Sequence, residues 1–133
     1  MEEIKKVTYK TASKLIADTT VAGTYFAEVT LDDSYDMCTG IAVTETSEGL
    51  GSDYTVAIGH QNNAGILPPL PADAVVVGKK DGSNPNQRFL DLAFSLRAGN
   101  KMTVTIVTNA TASADITIAV TFKCVQFNKP VSI

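Results

Sequence analysis

From 115 to 125 the chain alternates strictly, with Ile116, Ile118, Val120, Phe122 and Cys124 at every second position and Thr117, Thr121 and Lys123 between them. Successive side chains of an extended strand point to opposite faces, so this spacing gives one face to bury and one to wet. A second run, 101–109, alternates Met102, Val104 and Ile106 with Thr103 and Thr105. The small-residue stretch 110–114 between the two predicts a turn, and the pair reads as a long antiparallel hairpin at the C-terminal end. Upstream, 88–96 puts Leu90, Leu92, Phe94 and Leu96 on one face, and the turn-forming 97–100 makes it a third strand of the same sheet.

The same period of two continues towards the N-terminus. It places Tyr54, Val56 and Ile58 inward over 54–59, Ile41 and Val43 inward over 40–46, and Tyr25, Ala27, Val29 and Leu31 inward over 24–31. Residues 74–77, Ala-Val-Val-Val, are apolar throughout and predict a strand buried on both sides that ends at Gly78. Weaker patterns lie at 4–10 and 14–17. Nowhere do apolar positions hold a spacing of three and four for a dozen residues, so helix is scarce or absent. Eight or nine short strands with a turn signal every ten residues or so predict an all-β fold: an antiparallel two-sheet sandwich, jelly-roll-like, of about eight strands.

One irregular excursion interrupts the strands. Residues 60–73 carry Pro68, Pro69 and Pro71, which fix φ and lack an N–H, so the stretch cannot be a central strand and reads as a long loop. Its Ile66, Leu67 and Leu70 must pack on the domain itself or on a neighbour. The expected organisation is an N-terminal arm or edge strand at 1–14 and a single β-sandwich domain at 15–133, with no repeat and no linker.

Composition narrows the function classes. A chain of 133 residues, 44% hydrophobic and 19% charged, is one globular domain, too polar for a bilayer and too apolar for disorder. Its net charge of −3 argues against nucleic acid as the main partner, because phosphate-backbone affinity comes from clustered Lys and Arg. The N-terminus is charged within its first six residues with no apolar stretch behind them, which is unlike a secretory signal and leads us to expect the cytoplasm as the place of synthesis and assembly.

Candidate chemistry is sparse. Cys38 and Cys124 stand 86 positions apart, a spacing that suits neither a metal site nor a redox motif, so both are expected to be reduced, buried core residues. His60 is the sole histidine and no Gly-x-Ser-x-Gly turn marks a partner serine, which leaves it as a polar residue at a strand end. The acidic run 32–36 lacks the glycine and glutamate of a helix-loop-helix calcium site and reads as a solvated turn. Gly49 and Gly51 begin like a dinucleotide loop, and Gly78 to Ser83 like a phosphate loop, but neither keeps the required spacing. No catalytic residue, metal ligand or cofactor is assigned, and no enzymatic activity is expected. Lys5, Lys6, Lys10 and Lys14 outnumber Glu2 and Glu3 by two charges, which fits either an arm reaching nucleic acid or an acidic partner, or an edge strand guarded by lysines.

The order Thr24-Tyr25-Phe26-Ala27-Glu28-Val29-Thr30-Leu31-Asp32, Cys38-Thr39-Gly40-Ile41-Ala42-Val43, Tyr54-Thr55-Val56-Ala57-Ile58-Gly59 resembles small virion proteins of tailed bacteriophages. Arg88-Phe89-Leu90-Asp91-Leu92, then Gly99-Asn100-Lys101 and the 102–107 strand, resembles the second half of a phage jelly-roll head protein. The resemblance lies in pattern over most of the chain. It implies a capsid-decorating or head-auxiliary subunit, resident in the virion, that binds major capsid or other virion proteins and forms a homo-oligomer, a trimer first, without membrane or cofactor. Ile66, Leu67, Pro68, Pro69 and Leu70 are the expected subunit contact, and Lys5, Lys6 and Lys10 of the arm a second. The alternative is a carbohydrate- or receptor-binding sandwich using the loops 78–87 and 60–65, although the chain has no Trp and four Tyr to stack on sugars.

Overall fold

In a computed structural model, which describes residues 4–32, 34–47, 49–50, 53–60, 65–71, 90–96 and 100–127, the chain forms eight strands. They are β1 (Ile4–Ile16), β2 (Gly23–Thr30), β3 (Met37–Glu45), β4 (Tyr54–His60), β5 (Gly65–Pro71), β6 (Leu90–Ser95), β7 (Lys101–Thr108) and β8 (Ile116–Phe127). Two antiparallel sheets of four result, ordered β1-β8-β3-β6 and β2-β7-β4-β5. The expected strand at 74–77 and the polar loop at 79–87 lie outside the described residues.

The pairings are nested. β4 pairs with β5, β3 with β6, β2 with β7 and β1 with β8, so the chain is one long antiparallel ribbon doubled back at the β4–β5 turn. The ribbon is then rolled until β8 also meets β3 and β7 also meets β4. This is the jelly roll, and rolling buries a continuous apolar face inside while every strand except four edges is paired on both sides.

Rolling also corrects two expectations. β7 and β8 are not a hairpin: each is an inner strand of a different sheet, and the segment between them crosses from one sheet to the other. β6 likewise pairs with β3 and not with β7. Alternation reports only that a strand has one buried face, and strands facing each other across a sandwich bury the same parity as strands lying side by side.

The 60–73 excursion is corrected too. Over Gly65–Pro71 it is an edge strand, paired to β4 through Thr55↔Pro71, Val56↔Leu70, Ile58↔Leu67 and Gly59↔Gly65. Pro68 and Pro69 fall where the register slips between Val56 and Ile58, the place where missing N–H groups leave no ladder bond unmade. The weak patterns at 4–10 and 14–17 join into one strand, β1, held along its length by β8. Its lysines and exposed positions dilute the alternation, as suits a sheet edge.

The core holds the inward residues of both sheets: Ile116, Ile118, Val120, Phe122 and Cys124 from β8, Met102, Val104 and Ile106 from β7, Tyr54, Val56 and Ile58 from β4, and Ala12 and Ile16 from β1. In β3 Cys38 differs in parity from Ile41 and Val43 yet all three are buried. A bulge between Cys38 and Gly40 supplies the extra residue that brings both sets to the same face.

The ends of the sandwich are closed by loop-to-loop hydrogen bonds. At one end Thr19 N–H donates to Ala112 O (2.9 Å), Ser113 N–H to Gly49 O (2.7 Å) and Asn109 N–H to Asp53 O (2.8 Å). At the other, Asn100 Nδ2 donates to Leu31 O (2.8 Å), and Phe127 N–H to Asp36 Oδ2 (2.8 Å).

Candidate interaction surfaces

The expected contact residues lie on two different edges. Lys5, Lys6 and Lys10 sit on β1, the edge of the first sheet; Ile66, Leu67, Pro68, Pro69 and Leu70 sit on β5, an edge of the second. β1 packs beside β2, the other edge of the second sheet, so β1 and β2 form one flank of the sandwich and β5 lies across the sheet from it. The structure therefore does not bring the two candidate segments together.

On β5, Pro69 is exposed, whereas Leu70 is half-buried and packs against the core. Leu70 thus serves its own domain. The side chains of Ile66, Leu67 and Pro68 lie outside the described residues. On β1, Lys6 and Lys10 are exposed although they share the parity of the buried Ala12 and Ile16. Inward-facing lysines on an edge strand keep their ammonium groups in water by extending past the core, and they hinder edge-to-edge pairing.

Pattern reading missed the apolar residues of this flank. Val7 (40% exposed), Tyr9 (54%), Leu15 (59%), Val21 (67%) and Phe26 (57%) are the exposed large hydrophobics among the described residues, and all lie on β1, β2 or the loop between them. On β1 they occupy odd positions: Val7 faces the buried Val125 of β8, while Tyr9 and Leu15 lie in the outer row that faces Lys123, Thr121, Ala119 and Thr117. Thr11 and Thr121 join hydroxyls across that row at 3.0 Å. The signal was present in the sequence as apolar residues at positions opposite in parity to Ala12 and Ile16, but it is visible only once the inward face is known.

Among the described residues, no three His, Cys, Asp or Glu side chains group as metal ligands. His60, at the end of β4, sets its ring edge-on to Phe94 of β6 with centroids 6.1 Å apart, and its buried Nδ1 has no hydrogen-bond partner. It stands at the rim of the core. Asp32 accepts bonds from the Ser34 hydroxyl (2.7 Å) and the Ser34 N–H (2.9 Å). Those bonds, with Lys10 and Lys6 adding a smaller attraction, hold its carboxyl below the ordinary aspartate value. The 32–36 run is accordingly a hydrogen-bonded turn. No described helix is long and apolar enough to cross a membrane.

The class the architecture defines is the eight-strand jelly roll. A similar chain occurs in the acid-stable capsid structure of Helicobacter pylori bacteriophage KHP30, with a TM-score of 0.55, 14% identity and 98% of each chain covered. A chain of desmodium yellow mottle tymovirus aligns over 97% of this chain and 93% of its own, at 11% identity and a TM-score of 0.30. No family model matches the chain, and neither does any curated protein.

Proposed function

We propose that this chain is a structural subunit of a virion, of the capsid-decorating or head-auxiliary type, that binds other virion subunits and has no enzymatic activity. The observation that carries the reading is the end-to-end similarity to a chain of a phage capsid structure, which covers 98% of both chains. The surface supports it: among the described residues, the exposed large hydrophobics gather on the β1–β2 flank.

Two candidate contacts on different edges suit a head-to-tail association, in which one subunit's β1–β2 flank meets its neighbour's β5 edge. Such a heterologous contact closes into a ring when its rotation permits, and a trimer is the smallest ring. An acidic net charge favours protein partners over nucleic acid, since phosphate-backbone affinity comes from clustered Lys and Arg. Residence in the virion, after assembly in the host cytoplasm, completes the reading.

Cosedimentation with shells of the virus that encodes the chain tests it. Saturable binding at fixed stoichiometry, together with a solution mass of three chains that does not vary with concentration, is the expected result. Absence from purified particles overturns the virion role, and a strict monomer that still binds shells overturns only the ring.

A further inference from the structure

β8 and β3 are the two inner strands of the first sheet, and in their antiparallel register Cys38 stands directly opposite Cys124. Both side chains point into the core and both are fully enclosed, at 0% exposure. Both are free thiols, and the Cys38 S–H has two acceptors within reach, the Cys124 sulfur and Gly40 O at 3.4 Å. Residues so opposed have Cα atoms about 4.5 or 5.5 Å apart and Cβ atoms about 4.5–5.5 Å apart. A disulfide spans Cα separations of about 4.4–6.8 Å and Cβ separations of about 3.5–4.5 Å, so closure asks for a small approach of the two Cβ atoms. The bulge that begins at Cys38 supplies it, because the strand is bent there and its ladder already interrupted on both sides.

We propose that Cys38 and Cys124 form a dithiol site for small disulfides of the glutathione class, which convert it to an intramolecular cross-strand disulfide joining β3 to β8 inside the core. Whether or not the chain resides in a virion, the facing thiols are the same. The donated Cys38 S–H holds the Cys124 thiol below the ordinary value, while that bond and burial push the Cys38 thiol up. Cys124 is therefore the attacking sulfur. Its thiolate bonds to one sulfur of the small disulfide, the S–S bond breaks, and the expelled thiolate leaves with the electron pair and takes up the proton Cys124 released. The Cys38 sulfur then attacks Cys124 in the mixed disulfide, gives up its proton, and expels the second small thiolate, which is protonated in turn. Two protein thiols are oxidised and one small disulfide is reduced to two thiols. Because neither sulfur meets solvent, β6 or another edge must part before the first step, and closure is slow beside that of an exposed dithiol.

The test uses the full chain, reduced and then held under native conditions with excess oxidised glutathione, free thiols being alkylated afterwards. The expected product is a monomer lighter by two hydrogen atoms, refractory to alkylation, with a peptide pair linked through Cys38 and Cys124. Its Tm rises by roughly 10 °C, since the bond closes a long loop, and dithiothreitol reverses the change. A chain that keeps two alkylatable thiols, a stable mixed adduct at either cysteine, or disulfide-linked dimers would each overturn the proposal. Cys38→Ala gives an independent check: its oxidised sample should show no rise in Tm, and a rise equal to that of the parent would place the effect elsewhere. Should that variant not fold, the peptide map of the parent chain decides alone.

Discussion

Tyr54 on β4 donates its hydroxyl proton to Glu45 Oε2 on β3 across 2.5 Å, a polar tie between the two sheets. The ring of Tyr54 is 1% exposed, so the bond is the polar tip of a core residue. Tyr54→Phe keeps the ring and leaves a carboxylate oxygen without that donor, and it should cost about 1–3 kcal/mol. Urea unfolding checks this: the midpoint falls at unchanged slope, and an unaltered midpoint would show that water replaces the bond.

Gly49 is placed by lack of space. A Cβ there would lie 2.6 Å from Ala114 O, which is backbone and cannot swing away, and the same loops exchange the Ser113 N–H to Gly49 O bond. Gly49→Ala should destabilise by about 1–3 kcal/mol through overpacking, read as a lower Tm in calorimetry. A variant as stable as the parent would mean that the 110–114 segment yields at no cost.

Removal of residues 1–14 should cost at least about 5 kcal/mol, most of the stability of an ordinary domain. β1 belongs to the first sheet, its Ala12 lies in the core, and the truncation leaves β8 a bare edge everywhere beyond its pairs with Leu15 and Ile16. The truncated chain is therefore expected to lose its cooperative thermal transition or to aggregate. A folded truncate that merely fails to attach to particles would identify the segment as an arm.

Polar substitution of the exposed flank should separate folding from association. Tyr9→Ser, Leu15→Ser and Phe26→Ser each change a side chain more than half exposed, and each should alter stability by no more than about 0.5 kcal/mol. The triple variant is expected to lose shell binding or its oligomeric mass while retaining the circular-dichroism spectrum of the parent. Unimpaired binding would remove the β1–β2 flank from the interface. Leu70→Ser is a poor probe of contact, because Leu70 packs on its own core and its loss would destabilise the subunit.

The inward face of the sandwich was legible in the sequence wherever a strand is buried on one side. All five β8 residues expected to face inward are buried, as are Tyr54, Val56, Ile58, Met102, Val104 and Ile106. What alternation could not supply was partnership. It made β7 and β8 neighbours because they are consecutive, whereas rolling puts them in opposite sheets. Three prolines hid β5, since their cost to a strand vanishes at an edge and at a register slip. The exposed row of Tyr9 and Leu15 escaped notice because single surface hydrophobics are common, and only their gathering on one flank distinguishes them. The facing of Cys38 and Cys124 needed the register of two strands with about seventy residues between them, plus a bulge that no residue pattern announces.

The nested ribbon imposes a schedule on synthesis. β8, which fills an inner place between β1 and β3, is the last of these eight strands to be synthesised. Until it emerges, β1 has no partner and the first sheet lacks its middle, so the unfinished chain presents unpaired strand edges and half of its core to whatever is nearby. Completion then requires β1 and β8, the first and last of the eight strands, to find each other, the kind of distant pairing that makes folding slow. A chain built this way keeps strand edges open until β8 settles between β1 and β3 and covers them.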